Sequence, residues 1–110
     1  MATLFKNKLY SELGTVETTV LTTESNAKTT VIGLSLTNLT ESIVLVNMRI
    51  VDTVAGTSAY YVKDTILPPN QSLRVINGGE RLVLGPSTEI KIEASTDESL
   101  DLVLSYVEIV

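Results

Sequence analysis

The sequence contains no cysteine, no histidine and no tryptophan. Without cysteine there is no disulfide and no thiolate to act as nucleophile or ligand. Without histidine the side chain that titrates near neutral pH is gone, and with it the commonest metal ligand. Any catalysis would have to rest on carboxylates, lysine or tyrosine. Basic residues are few: eight against thirteen acids, a net charge of -5. That balance argues against a nucleic-acid partner, because phosphate neutralisation needs clustered Lys and Arg. Only Lys6 and Lys8 stand close together. Long apolar runs are absent too. None exceeds four residues, as in "IVLV", Ile43 to Val46, against about 20 for a membrane-spanning helix. No apolar block follows Lys6 and Lys8, so no secretory signal is expected and the chain reads as one made in a cytoplasm.

What is there is β chemistry. At 110 residues the chain is one domain, long enough to bury a core without covalent staples. Val, Ile, Thr and Leu dominate, and period-two alternation replaces any sustained helical stripe. In "TEIKIEAS", Ile90, Ile92 and Ala94 alternate with Glu89, Lys91 and Glu93, the pattern of a half-buried antiparallel strand. Val44, Val46, Met48 and Ile50 form one face of their segment; Leu100, Leu102, Leu104 and Tyr106 form one face of the last. Ile32, Leu34 and Leu36 are expected to point the same way.

Turn residues punctuate these pieces. The stretch Ile66 to Pro86 holds all three prolines and three of the six glycines. "NGG", Asn77 to Gly79, suits a tight turn needing positive φ, which predicts a hairpin between Arg74–Ile76 and Arg81–Leu84. The expected strands are 15–22, 29–38, 43–54, 58–67, 72–76, 81–84, 89–94 and 100–110. About eight short strands with this spacing predict an all-β fold: a single antiparallel β-sandwich, jelly-roll-like. Residues 1–14 read as an N-terminal arm or a short helix, and 15–110 as the sandwich domain.

Chemistry-bearing motifs yield to simpler readings. Gly78, Gly79 and Gly85 match neither the dinucleotide fingerprint nor the P-loop spacing, and turn geometry explains them. Asp97, Glu98 and Asp101 offer carboxylates for calcium, but lack the glycine and ligand spacing of an EF-hand. Glu12, Glu17 and Glu24 would need a cleft and a stacking aromatic to hydrolyse a glycoside. The sequons at Asn38 and Asn70 lack a secretory context. No catalytic, cofactor-binding or metal site is therefore assigned, and the chain is expected not to be an enzyme.

One excess remains. A small sandwich leaves the outer face of each sheet in water, yet the last strand is apolar on both sides. Val103, Val107 and Ile109 lie opposite its core face, as do Leu45 and Val51 in the 43–54 strand. Tyr60 and Tyr61 point to opposite faces, one inward and one outward. Leu4, Phe5, Leu9, Leu45, Val51, Tyr61, Val103, Val107 and Ile109 are the predicted interface residues.

The segments "YYVKDTILPPNQSLRVINGGERLVLGPSTEIKIEAS" (Tyr60 to Ser95) and "LDLVLSYVEI" (Leu100 to Ile109) carry a resemblance. In their order they resemble small virion structural proteins of tailed bacteriophages, and "TTVIGLSLTN" is similar to the same pattern. The resemblance implies a β-sandwich virion protein without catalytic residues or cofactors. The expected role is a capsid decoration (cement) protein, self-associating as a trimer or ring and docking on other virion proteins such as the major capsid protein. A neck, collar or tail-attachment component is the alternative. A carbohydrate- or host-receptor-binding module is the alternative of another class, opposed by the scarcity of aromatics.

Overall fold

The computed structural model describes residues 2–76 and 80–110. Among the described residues nine strands follow one another: β1 (Thr3–Leu13), β2 (Thr18–Thr22), β3 (Lys28–Asn38), β4 (Val44–Asp52), β5 (Thr57–Leu67), β6 (Ser72–Ile76), β7 (Leu82–Leu84), β8 (Thr88–Ala94) and β9 (Leu100–Ile109). The pairing is nested. β4 pairs with β5, β3 with β6 and β7, β2 with β8, and β1 with β9, all antiparallel. These pairs alternate between two sheets, so the chain is one long hairpin rolled up on itself. Pairing of β3 with β9 and of β4 with β8 closes the roll. The first sheet has the order β1-β9-β3, with β6 and β7 on the far flank of β3; the second has the order β2-β8-β4-β5. This is a jelly-roll sandwich of two antiparallel sheets.

Alternation decides which side chains meet between the sheets. Val44, Val46 and Met48 from β4, Ile90 and Ile92 from β8, and Leu100, Leu102 and Leu104 from β9 are all buried against one another. Fully burying one such side chain contributes about 1.5–3 kcal/mol, and this shared layer holds the two sheets together.

Several expectations change in the folded chain. Residues 3–13 are neither arm nor helix but the edge strand β1, paired along β9 from Thr3 opposite Ile109 to Tyr10 opposite Leu102. The segment hid its period because each of its faces mixes polar with apolar residues. Leu4, Lys6, Lys8 and Tyr10 lie on one side, and Thr3, Phe5, Asn7 and Leu9 on the other. Arg74–Ile76 and Arg81–Leu84 do not pair with each other. β6 lies beside Leu34–Thr37 and β7 beside Thr29–Val31, two collinear pieces along one flank of β3. The expected Asn77–Gly79 turn lies outside the described residues. Ile32 does not share a face with Leu34. The register of β3 against β9 shifts between Val31 and Gly33, so Val31 takes the core position and Ile32 turns outward. An extra residue in a strand reverses the parity of everything before it.

Two polar devices fix the ends of the roll. Asn38 is buried, and its amide donates to the carbonyls of Ser42 (2.8 Å), Leu67 (3.0 Å) and Pro68 (3.2 Å) while its oxygen accepts from Thr40 N–H (2.8 Å). This ties the β3–β4 turn to the end of β5. At the other corner the Gly14 carbonyl accepts from Ala94 N–H, and the Leu13 carbonyl from Ser99 N–H, at 2.9 Å each.

Candidate interaction face

β9 runs between β1 and β3, and its register gathers the outward side chains of three strands. Phe5 lies opposite Val107, Leu9 opposite Val103, and Thr3 opposite Ile109. On the other flank, Thr30 lies opposite Val107 and Ser35 opposite Val103. Cross-strand partners point to the same side of a sheet. Phe5, Leu9, Val103, Val107 and Ile109 therefore share one outward face. Phe5 is 79% exposed, Leu9 68% and Val103 47%.

The remaining predicted residues lie elsewhere. Leu4 sits opposite Glu108, on the inward side at an open end of the sandwich. Leu45 and Val51 are on the outer face of the second sheet, and Tyr61 stands at a register shift in β5 between Tyr60 and Val62. That second face carries a network of charged and polar pairs. Arg49 makes a two-pronged pair with Glu17 (2.6 and 3.1 Å), Asn47 reaches Glu93, and Lys91 lies 3.9 Å from Glu89. These charged and polar side chains stand among exposed Leu45, Ile66 and Tyr60 on the same face.

Two members of the first face escaped sequence reading. Ile32 reaches it through the register shift in β3. Val83, on the three-residue strand β7, lies opposite Thr30 and is 74% exposed. No local pattern marks either residue, because Ile32 depends on the pairing of β3 with β9 and Val83 on that of β7 with β3.

Small side chains fill the rest of the face: Asn7, Thr30, Ser35, Thr37, Ser72 and Ser105. A shallow depression over Gly33 is rimmed by Ile32, Ser35, Arg74, Val103 and Ser105. Among the described residues of these strands, the charged members of the face stand at its margins. Lys28 is level with Ile109, Asp101 with Thr37, and Arg74 lies on the outer strand beside Ser35. The centre is neutral on a chain whose net charge is -5.

Three of the acidic groups considered as sites, Asp97, Asp101 and Glu17, are engaged in structural bonds. Asp97 Oδ1 accepts from the Thr15 hydroxyl (2.5 Å) and N–H (3.1 Å), and these bonds hold its carboxyl below the usual range. Asp101 Oδ1 accepts from Glu12 N–H at 3.1 Å. Glu17 is held low by its hydrogen bond with Arg49. Among the described residues, no three acidic side chains converge as a metal site would need. Inside the open end, Lys6 Nζ lies 2.9 Å from Glu108, whose side chain is nearly buried, and the hydrogen bond raises the Lys6 ammonium above its ordinary value. Burial raises the Tyr106 phenol beside it.

No family model matches the sequence, and no curated protein matches it. Solved structures do match its fold. A chain of the T13 viral particle of infectious bursal disease virus superposes with a TM-score of 0.54 at 12% identity, over 96% of this chain and 30% of that one. The Gx strain of the same virus gives 0.54 at 9% identity, over 98% and 33%. A subunit of Bacillus endospore appendages, a family of disulfide-linked pili, gives 0.52 at 8% identity, over 96% and 86%. The chain thus spans about a third of the length of the viral chains. The likeness is one of fold: the same two-sheet sandwich occurs in a virus particle and in a filament.

Proposed function

We propose that this chain is a non-enzymatic structural protein of a tailed-bacteriophage virion, and within that class a capsid decoration (cement) protein. It associates with copies of itself and docks on the shell built by the major capsid protein, after synthesis in the host cytoplasm. The observation that carries the reading is the neutral, apolar outer face of the β1-β9-β3 sheet. Phe5, Leu9 and Val103 stand in water there, although the chain has a full core of its own. Contiguous exposed apolar surface of this kind marks a site of protein contact. The fold-level match to a virus-particle chain supports an assembly role, and so does the engagement of Asp97, Asp101 and Glu17 in structural bonds.

A decoration protein stabilises its particle by mass action, since anything that binds only the assembled shell shifts the equilibrium toward it. Transfer of three exposed apolar side chains out of water supplies several kcal/mol, at about 25 cal/mol per Å². That gain must exceed the cost of lost freedom on association. Repetition over a lattice makes a modest single-site affinity sufficient. The pilus likeness does not extend to its covalent link, because this chain has no cysteine.

Quantitative mass spectrometry of purified particles of the encoding phage tests the proposal. Hundreds of copies per particle, lost from the heads of a Val103→Asp variant, are expected. About a dozen copies would move the protein to the neck or tail, and absence from particles would overturn the virion reading.

A further inference from the structure

The roll leaves strand edges open, and three of them are guarded. β2 is five residues long with a register shift between Thr19 and Leu21. β5 is broken twice against β4, and Lys63 and Asp64 stand at the irregular stretch. The flank of β3 is covered by two short pieces, β6 and β7. Short edges, bulges and edge charges are the devices that keep sheets from pairing with one another. β1 carries Lys6 and Lys8 and has a register shift beyond Tyr10, but it differs from the other edges in regularity: from Thr3 to Tyr10 it runs in unbroken register along β9.

The parity of that edge follows from its first pair. Ala2 N–H donates to the Val110 carbonyl (2.8 Å), and Val110 N–H donates to the Ala2 carbonyl (3.0 Å). Hydrogen-bonded and non-bonded pairs alternate along an antiparallel ladder. Leu4, Lys6, Lys8 and Tyr10 therefore spend their backbone groups on β9. Thr3, Phe5, Asn7 and Leu9 turn N–H and C=O to the open side. The side chains of those same four residues belong to the outward face.

We infer that β1 pairs antiparallel with β1 of a second copy about a two-fold axis, joining two first sheets into one continuous sheet. A strand meeting itself antiparallel matches donors to acceptors automatically, and a two-fold contact is closed. The lysines narrow the register, and Phe5 lies near the middle of the unbroken stretch. With Phe5 on the axis, Thr3 pairs with Asn7 of the second copy, Lys6 lies opposite Leu4, and Lys8 lies opposite Ala2. Centring the contact on Lys6, Asn7 or Lys8 sets lysine against lysine, a cross-strand repulsion. The charge of Lys6 is already answered within its own copy by Glu108. An axis normal to the sheet leaves both outward faces on the same side, so Val103, Val107 and Ile109 of the two copies form one wider platform with Phe5 at its centre.

This pairing goes beyond the virion reading and does not rest on it: a chain absent from virions would still dimerise, and a decoration protein could still associate through another contact. Sedimentation equilibrium of the purified full chain tests it. A species of twice the 11.9 kDa chain mass is expected. Asn7→Pro should halve that mass with an unchanged circular-dichroism spectrum. The Asn7 N–H faces the open edge, so proline there takes no bond from β9 but removes a donor from the contact. With no other thiol in the chain, Phe5→Cys should give a covalent dimer on oxidation, and Leu9→Cys, which lies past the pairing, should not. This comparison decides the matter if the proline variant misfolds. A monomeric wild type, a trimer or ring, a dimer indifferent to Asn7→Pro, or equal cross-linking at both cysteines would overturn the inference.

Discussion

Gly14 and Asp97 touch backbone to backbone: a β-carbon built on Gly14 would stand 2.9 Å from the Asp97 Cα and 3.1 Å from the Glu98 nitrogen. The β1–β2 corner sits directly on the β8–β9 turn, and Thr15 and Asp97 seal the contact with two hydrogen bonds.

Gly14→Ala is therefore expected to destabilise the fold. The added methyl meets main chain, which cannot step aside as a flexible side chain would. Overpacking of this kind costs about 1–3 kcal/mol. Urea unfolding at neutral pH checks it. A midpoint equal to that of wild type would show that the corner has room to spare.

Asn38→Ala removes the amide that three carbonyls share and the oxygen that Thr40 N–H uses. A buried polar group left without a partner costs about 1–3 kcal/mol. The thermal midpoint should fall, and amide exchange should quicken at Thr40 before it does so in β9. Uniform loosening of the whole chain would contradict this assignment of the residue as a local lock.

The acid limb of stability should depend on Asp97 and Glu17. Both carboxyls are held low in the folded chain, Asp97 by Thr15 and Glu17 by Arg49. The unfolded chain then binds protons more readily than the folded one. The stabilisation is present above the ordinary carboxyl values, about 4, and fades as pH drops through the lower folded values. Wild type should lose thermal stability between pH 5 and pH 2–3, roughly the carboxyl range, more steeply than Glu17→Gln/Asp97→Asn. Parallel curves would show that neither carboxylate contributes.

Val103 and Leu104 are adjacent on β9 and should respond in opposite ways. Leu104 is wholly buried in the core, so Leu104→Ala should cost about 2–5 kcal/mol by leaving a cavity. Val103→Ser lies on the outward face, and substitutions there shift stability by about 0.5 kcal/mol or less. Unfolding curves and particle-binding assays run side by side check the pair. The serine variant should keep the fold and lose adhesion, and the reverse result would remove the face from function.

Much of this was legible in the letters. The Ile90–Ala94 alternation and the two-sided apolar character of the last strand both carried through, because period-two patterning is a local property. The Val103, Val107 and Ile109 side of β9 was readable for the same reason. Residues 3–13 were not, since Lys6 and Lys8 occupy the side that usually identifies a strand. Lys6 is accommodated there by Glu108, a partner 102 positions away. Ile32 was misread because a single extra residue at a register shift leaves no trace in composition.

The sequence by itself determined the class of the fold and eight of the nine described strands, through alternation, turn residues and the lack of any helical stripe. Only the tertiary structure decided which outward residues stand together. Phe5 meets Val107, and Val83 meets Thr30, through pairings between distant segments. Such pairings are set by the nesting of the whole chain and by its bulges, and no local run of residues encodes them.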